Sequence, residues 1–259
     1  MKLVSLNLWG GRQGDQLFDY LQKESVTADI FCFQEVFSSA SGPKEFQKAH
    51  PYLFEELKQL LPDFQAIFSS AYKGWMDMEK VDFDVSQGQT MFVRKPFAIK
   101  DSGQIYIFGN ANTEINTDFK NEPKIMQFVL LEKAGKQLLV GNIHGCWFPG
   151  EKLDTVERLE QSRVIVDFIK KYNCPKVVVG DLNLELETKS IKILEKELRN
   201  LIKEYSITNT RNEISWERYH NRQSYADYAF VSSDINVKNF EVPYSLVSDH
   251  LPMLLDFSL

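Results

Sequence analysis

Two short acidic motifs lie far apart in this chain. Gly180-Asp181-Leu182-Asn183 closes a run of valines, and Ser248-Asp249-His250 precedes the last apolar segment. Four further polar residues share this placement. Asn7 follows Leu3-Val4-Ser5-Leu6, and Glu35 follows Ile30-Phe31-Cys32-Phe33-Gln34. His144 ends Leu138-Leu139-Val140-Gly141-Asn142-Ile143, while Asp227 begins Asp227-Tyr228-Ala229-Phe230-Val231. Carboxylate and amide oxygens beside imidazoles are the groups of a divalent-metal hydrolase acting on phosphate esters.

Asp181 and Asn183 are two apart, so on a strand both side chains share one face. A carboxylate and an amide there suit water activation and the orientation of a phosphate oxygen; either residue could instead cap a following helix. Gly180 is expected to let the chain turn as it leaves the sheet. Glu35 ends an apolar strand, where a carboxylate is costly unless paired, metal-bound or exposed. Asn7, with Gly10-Gly11 close behind, fits a ligand or an ordinary turn. Asp249 and His250 are neighbours and would face opposite sides of a regular strand, so both reach one pocket only from a loop or bulge; Pro252 agrees with a strand mouth. Ser248-Asp249-His250 is no serine-hydrolase triad, because three consecutive residues cannot align as nucleophile, base and orienter, and no G-x-S-x-G element occurs. His144 is structural or catalytic, and Asp227 either marks a strand start or holds a histidine protonated. Six such groups at strand ends converge if the strands stack, because stacked sheets gather their ends along one rim.

The elements that must position them follow from hydrophobic periodicity. Strands are expected at Lys2–Leu8, Asp29–Glu35, Phe64–Ser69, Gln89–Arg94, Phe97–Phe108, Lys124–Glu132, Gln137–His144, Lys176–Gly180, Ala226–Ser232, Val237–Val242 and Leu251–Phe257. Helices are expected at Gln16–Glu24, Lys44–Leu61 despite Pro51, Lys152–Tyr172 and Ser190–Leu201. Ala71–Gly88 and Gly109–Pro123 fit neither pattern and read as functional rims. No low-complexity linker interrupts the chain, so residues 1–259 read as one α/β domain: two packed sheets with helices outside.

Composition narrows the class. Of 259 residues, 43% are hydrophobic and 13% aromatic, enough for a sizeable core. No apolar run reaches the ~18–20 residues of a membrane span. The start reads as a first strand rather than a signal peptide. Three cysteines without close-pair spacing disfavour a disulfide framework or zinc knuckle and fit a reducing, cytoplasmic setting. The net charge of −6 supplies no basic footprint for duplex binding.

Ser5-Leu6-Asn7, Phe33-Gln34-Glu35-Val36, Asn142-Ile143-His144, Gly180-Asp181-Leu182-Asn183, Ala226-Asp227-Tyr228 and Ser248-Asp249-His250 occur in the order seen in the endonuclease/exonuclease/phosphatase superfamily. This group includes pancreatic-type deoxyribonucleases, abasic-site endonucleases, inositol polyphosphate 5-phosphatases, neutral sphingomyelinases, deadenylases and tyrosyl-DNA phosphodiesterases. The chain looks most like its compact bacterial members. The resemblance implies a four-layer α-β-β-α sandwich of two mainly antiparallel sheets and a Mg²⁺ cofactor, with Mn²⁺ as the other candidate. It implies Glu35 as main metal ligand with Asn7 close by and Asp249 in support. Asp181 would deprotonate the attacking water and Asn183 would help position it. His250, paired with Asp227, would stabilise the phosphorane-like transition state, with His144 on another phosphate oxygen. One departure concerns pancreatic-type enzymes, which carry a glutamate supporting the histidine that matches His144; Ser86-Gln87-Gly88-Gln89-Thr90 has no acid there.

Arg158, expected on a helix after His144, is a candidate phosphate contact. Trp147, in Trp147-Phe148-Pro149-Gly150, is a candidate rim aromatic, as are Trp9 and Trp75. His50 and His220 read as ordinary histidines. The expected activity is Mg²⁺-dependent hydrolysis of a phosphate ester, with a phosphodiester ahead of a phosphomonoester. A nuclease or DNA-repair phosphodiesterase is the alternative enzyme, and a catalytically silent binding or scaffold protein the alternative of another class. The partner is a phosphate-ester substrate, with nucleic acid one candidate; no obligate protein partner is indicated.

Overall fold

The first two strands show how the layers arise. In this computed structural model, which describes residues 1–219 and 222–259, β1 (Lys2–Asn7) and β2 (Ile30–Ser39) run parallel and are joined by α1 (Asp15–Ser25). Their side chains alternate. Leu3, Ile30 and Cys32 face the second sheet, whereas Val4, Leu6, Phe31 and Phe33 are covered by Leu17 and Leu21 of α1 and by Leu53 and Leu57 of α2 (Leu53–Leu60). All are essentially without solvent exposure, and each large apolar side chain buried this way contributes about 1.5–3 kcal/mol.

The chain continues through β3 (Phe64–Lys73), the small hairpin β4 (Trp75–Met76) and β5 (Glu79–Lys80), and β6 (Val85–Arg94). Then follow β7 (Ala98–Phe108), β8 (Lys124–Lys133), β9 (Lys136–His144), α3 (Val156–Ile169) and β10 (Lys176–Asp181). The remainder is α4 (Lys189–Leu194), β11 (Arg199–Asn200), α5 (Leu201–Glu204), α6 (Glu213–Tyr219), β12 (Asp227–Val231), β13 (Asn236–Glu241) and β14 (Met253–Ser258). One sheet has the order β13-β14-β1-β2-β6-β3 and the other β11-β12-β10-β9-β8-β7. Every pairing is antiparallel except β1 with β2 and β9 with β10. The architecture is the expected α-β-β-α sandwich.

Between the sheets, amides replace hydrocarbon beneath the strand ends. Gln34 Nε2 donates to Asn142 Oδ1 at 2.6 Å, and Asn142 Nδ2 returns to the Phe33 carbonyl at 3.0 Å. Gln89 Nε2 bonds the Ile125 and Asn142 carbonyls at 2.9 and 3.0 Å. These buried amide hydrogen bonds fix a single register between layers, which an all-apolar seam would specify less sharply, although Gln34 Oε1 is left without a partner among the described residues.

Several element boundaries differ from expectation for identifiable reasons. The helix expected over Lys44–Leu61 begins only at Leu53; Pro51 disfavours helical geometry at His50, and Gln47 and Lys48 form a tight turn with positive φ. The helix expected from Lys152 starts after Thr155, whose Oγ1 accepts from Arg158 N at 3.2 Å. Ser190–Leu201 is not one helix, because Arg199 and Asn200 pair with β12. Asn200 Oδ1 then accepts from Ile202 N to start α5. The helix α6 was not expected; Asn212 Oδ1, accepting from Ile214 N at 3.1 Å, is its sequence signal. His50 bonds Glu56 at 2.7 Å, and His220 lies outside the described residues.

Candidate active site

Strand register assembles the site. Asp181 at the end of β10 pairs with His144 of β9 on one side and Asp227 of β12 on the other, so three polar groups stand abreast on adjacent strands. Gly180 makes this possible differently from expectation. The chain does not turn there but stays paired, with φ of 128°; an added Cβ would lie 2.2 Å from the Ile143 carbonyl oxygen.

The other sheet contributes Asn7, at the end of β1, and Glu35. Glu35 does not end its strand, because β2 runs on to Ser39. It sits in a break of register between Phe33 and Val36, with φ of 54°. Such a bulge re-aims one side chain without ending the ladder, and here it turns a carboxylate out of an apolar strand. Asn7 Nδ2 donates to Glu35 Oε1 at 2.9 Å and to Asp181 Oδ2 at 3.2 Å, while its Oδ1 accepts from Trp9 N at 3.0 Å. Asn7 therefore spaces two carboxylates at the point where the expected metal ligands gather. Potential ligand atoms of Glu35, His144 and Asp181 lie within 4.8 Å of one another. Hard carboxylate oxygens with a neutral imidazole fit a small divalent cation.

Asp249 and His250 lie in the loop before β14, where both can reach the cleft, and Ser248 Oγ anchors it to the Asn7 carbonyl at 2.7 Å. His250 Nδ1 meets Asp227 Oδ2 at 2.7 Å, leaving Nε2 at 3.8 Å from Asp181 and 4.0 Å from Asp249. Burial disfavours the imidazolium, yet Asp227 and Asp249 outweigh it and raise the pKa to about 9. His144 behaves oppositely: burial, aided by Lys124, lowers it to about 3, leaving a neutral ring 3.6 Å from Glu35. For Asp181, burial opposes ionisation, but His250 and Lys152 prevail and lower it to about 2. Asn183 N donates to Asp181 Oδ1 at 2.8 Å and fixes its rotamer.

Glu35, His144, Asp181, Asn183, Asp249 and His250 line a cleft of about 330 Å³, as does Trp147. Asn7 and Asp227 stand behind them. Both stretches expected as rims contribute: Tyr72, Asp77, Met78 and Gln87 from one, Phe119 and Glu122 from the other. Trp75 packs on Phe119 instead of lining the cleft. Arg158 is a correction. It is fully buried, and its guanidinium donates to the carbonyls of Cys146, Trp147, Pro149 and Leu153 at 2.6–3.0 Å. Those bonds hold the loop carrying Trp147, and the side chain is turned from the cleft.

Further charged residues complete the walls. Arg12 and Arg218 flank the Trp9 ring, 5.3 and 5.0 Å from its centroid, and Asp77 meets them at 2.7 and 3.6 Å. Lys124 pairs with Glu122 at 2.7 Å, and Lys152 and Arg211 are each 4% exposed. Burial, then Arg211, lowers the Lys152 pKa to about 8. Backbone conformation is unusual here as well. Of the eleven non-glycine residues with positive φ among those described, seven line this cleft.

Comparison with solved structures shows the same fold at low identity. A mannosyl-6-phosphatase from Bacteroides thetaiotaomicron superposes with a TM-score of 0.73 at 19% identity, covering 100% of both chains. The catalytic domain of human Nocturnin gives 0.65 at 20% identity, covering 100% of this chain and 93% of that one. A humanized Danio rerio TDP2 gives 0.70 at 14% identity, covering 100% and 99%. No curated protein matches the sequence significantly. The sequence profile of the Endonuclease/Exonuclease/phosphatase family matches residues 4–250, which span every motif assembled at the cleft, and the chain belongs to that family.

Proposed function

We propose that this protein is a divalent-metal-dependent hydrolase of phosphate esters in which water attacks phosphorus beside Asp181. The observation that carries this reading is the alignment of His144, Asp181 and Asp227 on three adjacent strands, with Glu35 facing them from the opposite sheet. Glu35 and Asp181, with His144, would hold the cation, whose charge would offset that developing on the phosphoryl oxygens.

The remaining work belongs to the side chains. Asp181, kept ionised and oriented by the Asn183 N–H, accepts a hydrogen bond from the attacking water and takes its proton. An arriving phosphate anion raises the basicity of this carboxylate by like-charge repulsion. His250, held as imidazolium by Asp227, directs Nε2 toward the cleft and stabilises charge gathering on a phosphoryl oxygen. His144, neutral, accepts or donates one hydrogen bond without adding charge. Names of structural relatives, a phosphatase among them, agree with phosphate-ester chemistry.

The test is hydrolysis of generic phosphomonoesters and phosphodiesters by wild type and Asp181→Asn, with Mg²⁺, Mn²⁺ or chelator. Metal-dependent turnover that vanishes in the variant is expected. Turnover that is indifferent to chelator, or absent from the wild type with every ester, would sink the reading.

A further inference from the structure

Lys152 is a cation that the chemistry above leaves without a task. It lies in the loop between β9 and α3 with φ of 57°, 4% exposed, and it lines the cleft beside Arg211, Asp181 and His250. Among the described residues its ammonium has no hydrogen-bond partner, and no carboxylate oxygen lies within the 4.0 Å of an ion pair. The placement is built. The Lys152 carbonyl accepts from Glu185 N at 2.8 Å, and Arg158 clamps the neighbouring Leu153 carbonyl at 2.7 Å. A lysine stem packs against the protein while its charged head seeks a polar surrounding, and here the stem is buried and the head is left to the cleft. An ammonium held under these conditions is preorganised for an anion.

We propose that Lys152, with Arg211 beside it, seats a terminal phosphate dianion, so that the cleft prefers small phosphomonoesters to phosphodiesters. This rests on the phosphoesterase reading and reverses the preference expected from sequence. A monoester phosphate carries nearly two negative charges at neutral pH and three terminal oxygens, whereas a diester carries one charge and two such oxygens. Asp181, Glu35 and His250 line the same cleft as Lys152. The third terminal oxygen, which a diester replaces with an ester link, is the one Lys152 binds. In the reaction water adds to phosphorus and the ester P–O bond breaks. One water proton ends on the released alcohol and the other on hydrogen phosphate. A cavity of about 330 Å³ is of a size for a small molecule.

The experiment compares wild type, Lys152→Met and Lys152→Arg in two readouts. The first is kcat/KM for p-nitrophenyl phosphate and bis-p-nitrophenyl phosphate with Mn²⁺. The second is the affinity for inorganic phosphate by calorimetry, which needs no turnover. Wild type is expected to favour the monoester. Lys152→Met should lower monoester kcat/KM by roughly 100-fold, at least ten times more than it lowers diester cleavage, with partial recovery in Lys152→Arg. Phosphate affinity should fall in parallel. Equal losses on both esters, or unchanged phosphate affinity in Lys152→Met, would overturn the assignment. If wild type cleaves neither ester, the phosphoesterase reading fails, and the phosphate titration still decides whether Lys152 is an anion seat.

Discussion

The amide of Asn7 donates to Asp181 Oδ2 at 3.2 Å, joining the two sheets at the floor of the cleft across 174 residues of sequence. The same nitrogen reaches Glu35, so one neutral side chain keeps two carboxylates apart yet within reach of a common cation. Asp181→Asn keeps this packing and removes the charge proposed to take the water's proton. Turnover should fall about 100- to 10,000-fold while the metal-free melting temperature stays at or above that of wild type. Residual activity within tenfold of wild type, read under saturating metal, would remove Asp181 from that role.

Glu35→Gln tests the metal site from the other sheet. If Glu35 is the anionic ligand proposed above, its removal should raise the Mg²⁺ or Mn²⁺ concentration for half-maximal thermal stabilisation by at least about tenfold. An unchanged metal titration would leave Glu35 as a positioning residue only.

His250 gives the metal-free protein a defined pH dependence. Its folded pKa, about 9, lies above the ordinary 6.5, so its contribution is complete below pH 6.5 and lost as pH rises through 9. Denaturant unfolding in chelator should show a loss on the order of 3 kcal/mol over that window. Asp227→Asn should flatten the slope. His144 acts in the opposite direction: with a folded pKa lowered to about 3, its contribution is lost as pH falls from 6.5 toward 3.

Arg158 ties four carbonyls of the loop that carries Trp147 and Lys152. Arg158→Ala should destabilise the fold by about 3–5 kcal/mol, as leaving buried groups unpaired does. Arg158→Lys should recover little, since a compact ammonium cannot replace the planar fork. Full stability of either variant, measured by denaturant unfolding, would show the loop is held by other contacts.

Much of the site was legible because polar residues interrupt apolar strand runs at Asn7, Glu35, His144, Asp181 and Asp227, where solvation costs make an accidental polar residue rare. The shared register that sets His144 and Asp227 beside Asp181 is a tertiary property and leaves no local mark. Lys124 and Arg211 were invisible for another reason. Surface and buried cations look identical in sequence, and what separates them is the tertiary path of the chain. Arg158 shows the converse, since a helical arginine after His144 reads as a phosphate contact until the loop wraps it. Pro51 was a readable warning against the long helix over Lys44–Leu61. Asn212 was a readable start for α6, whereas the pairing of Arg199 and Asn200 with β12 overrode local helical spacing.

Seven cleft residues hold a backbone conformation that glycine or asparagine would tolerate more easily, Asn183 alone among them being of those types. At about 1 kcal/mol or more apiece, these positions hold much of the molecule's conformational tension in one place. Selection for thermal robustness alone would therefore relax Trp9, Glu35, Asp77 and Lys152 early. The hardier descendants would keep the sandwich and lose the cleft, and their gain in melting temperature would record how much durability the chain forgoes to hold that shape.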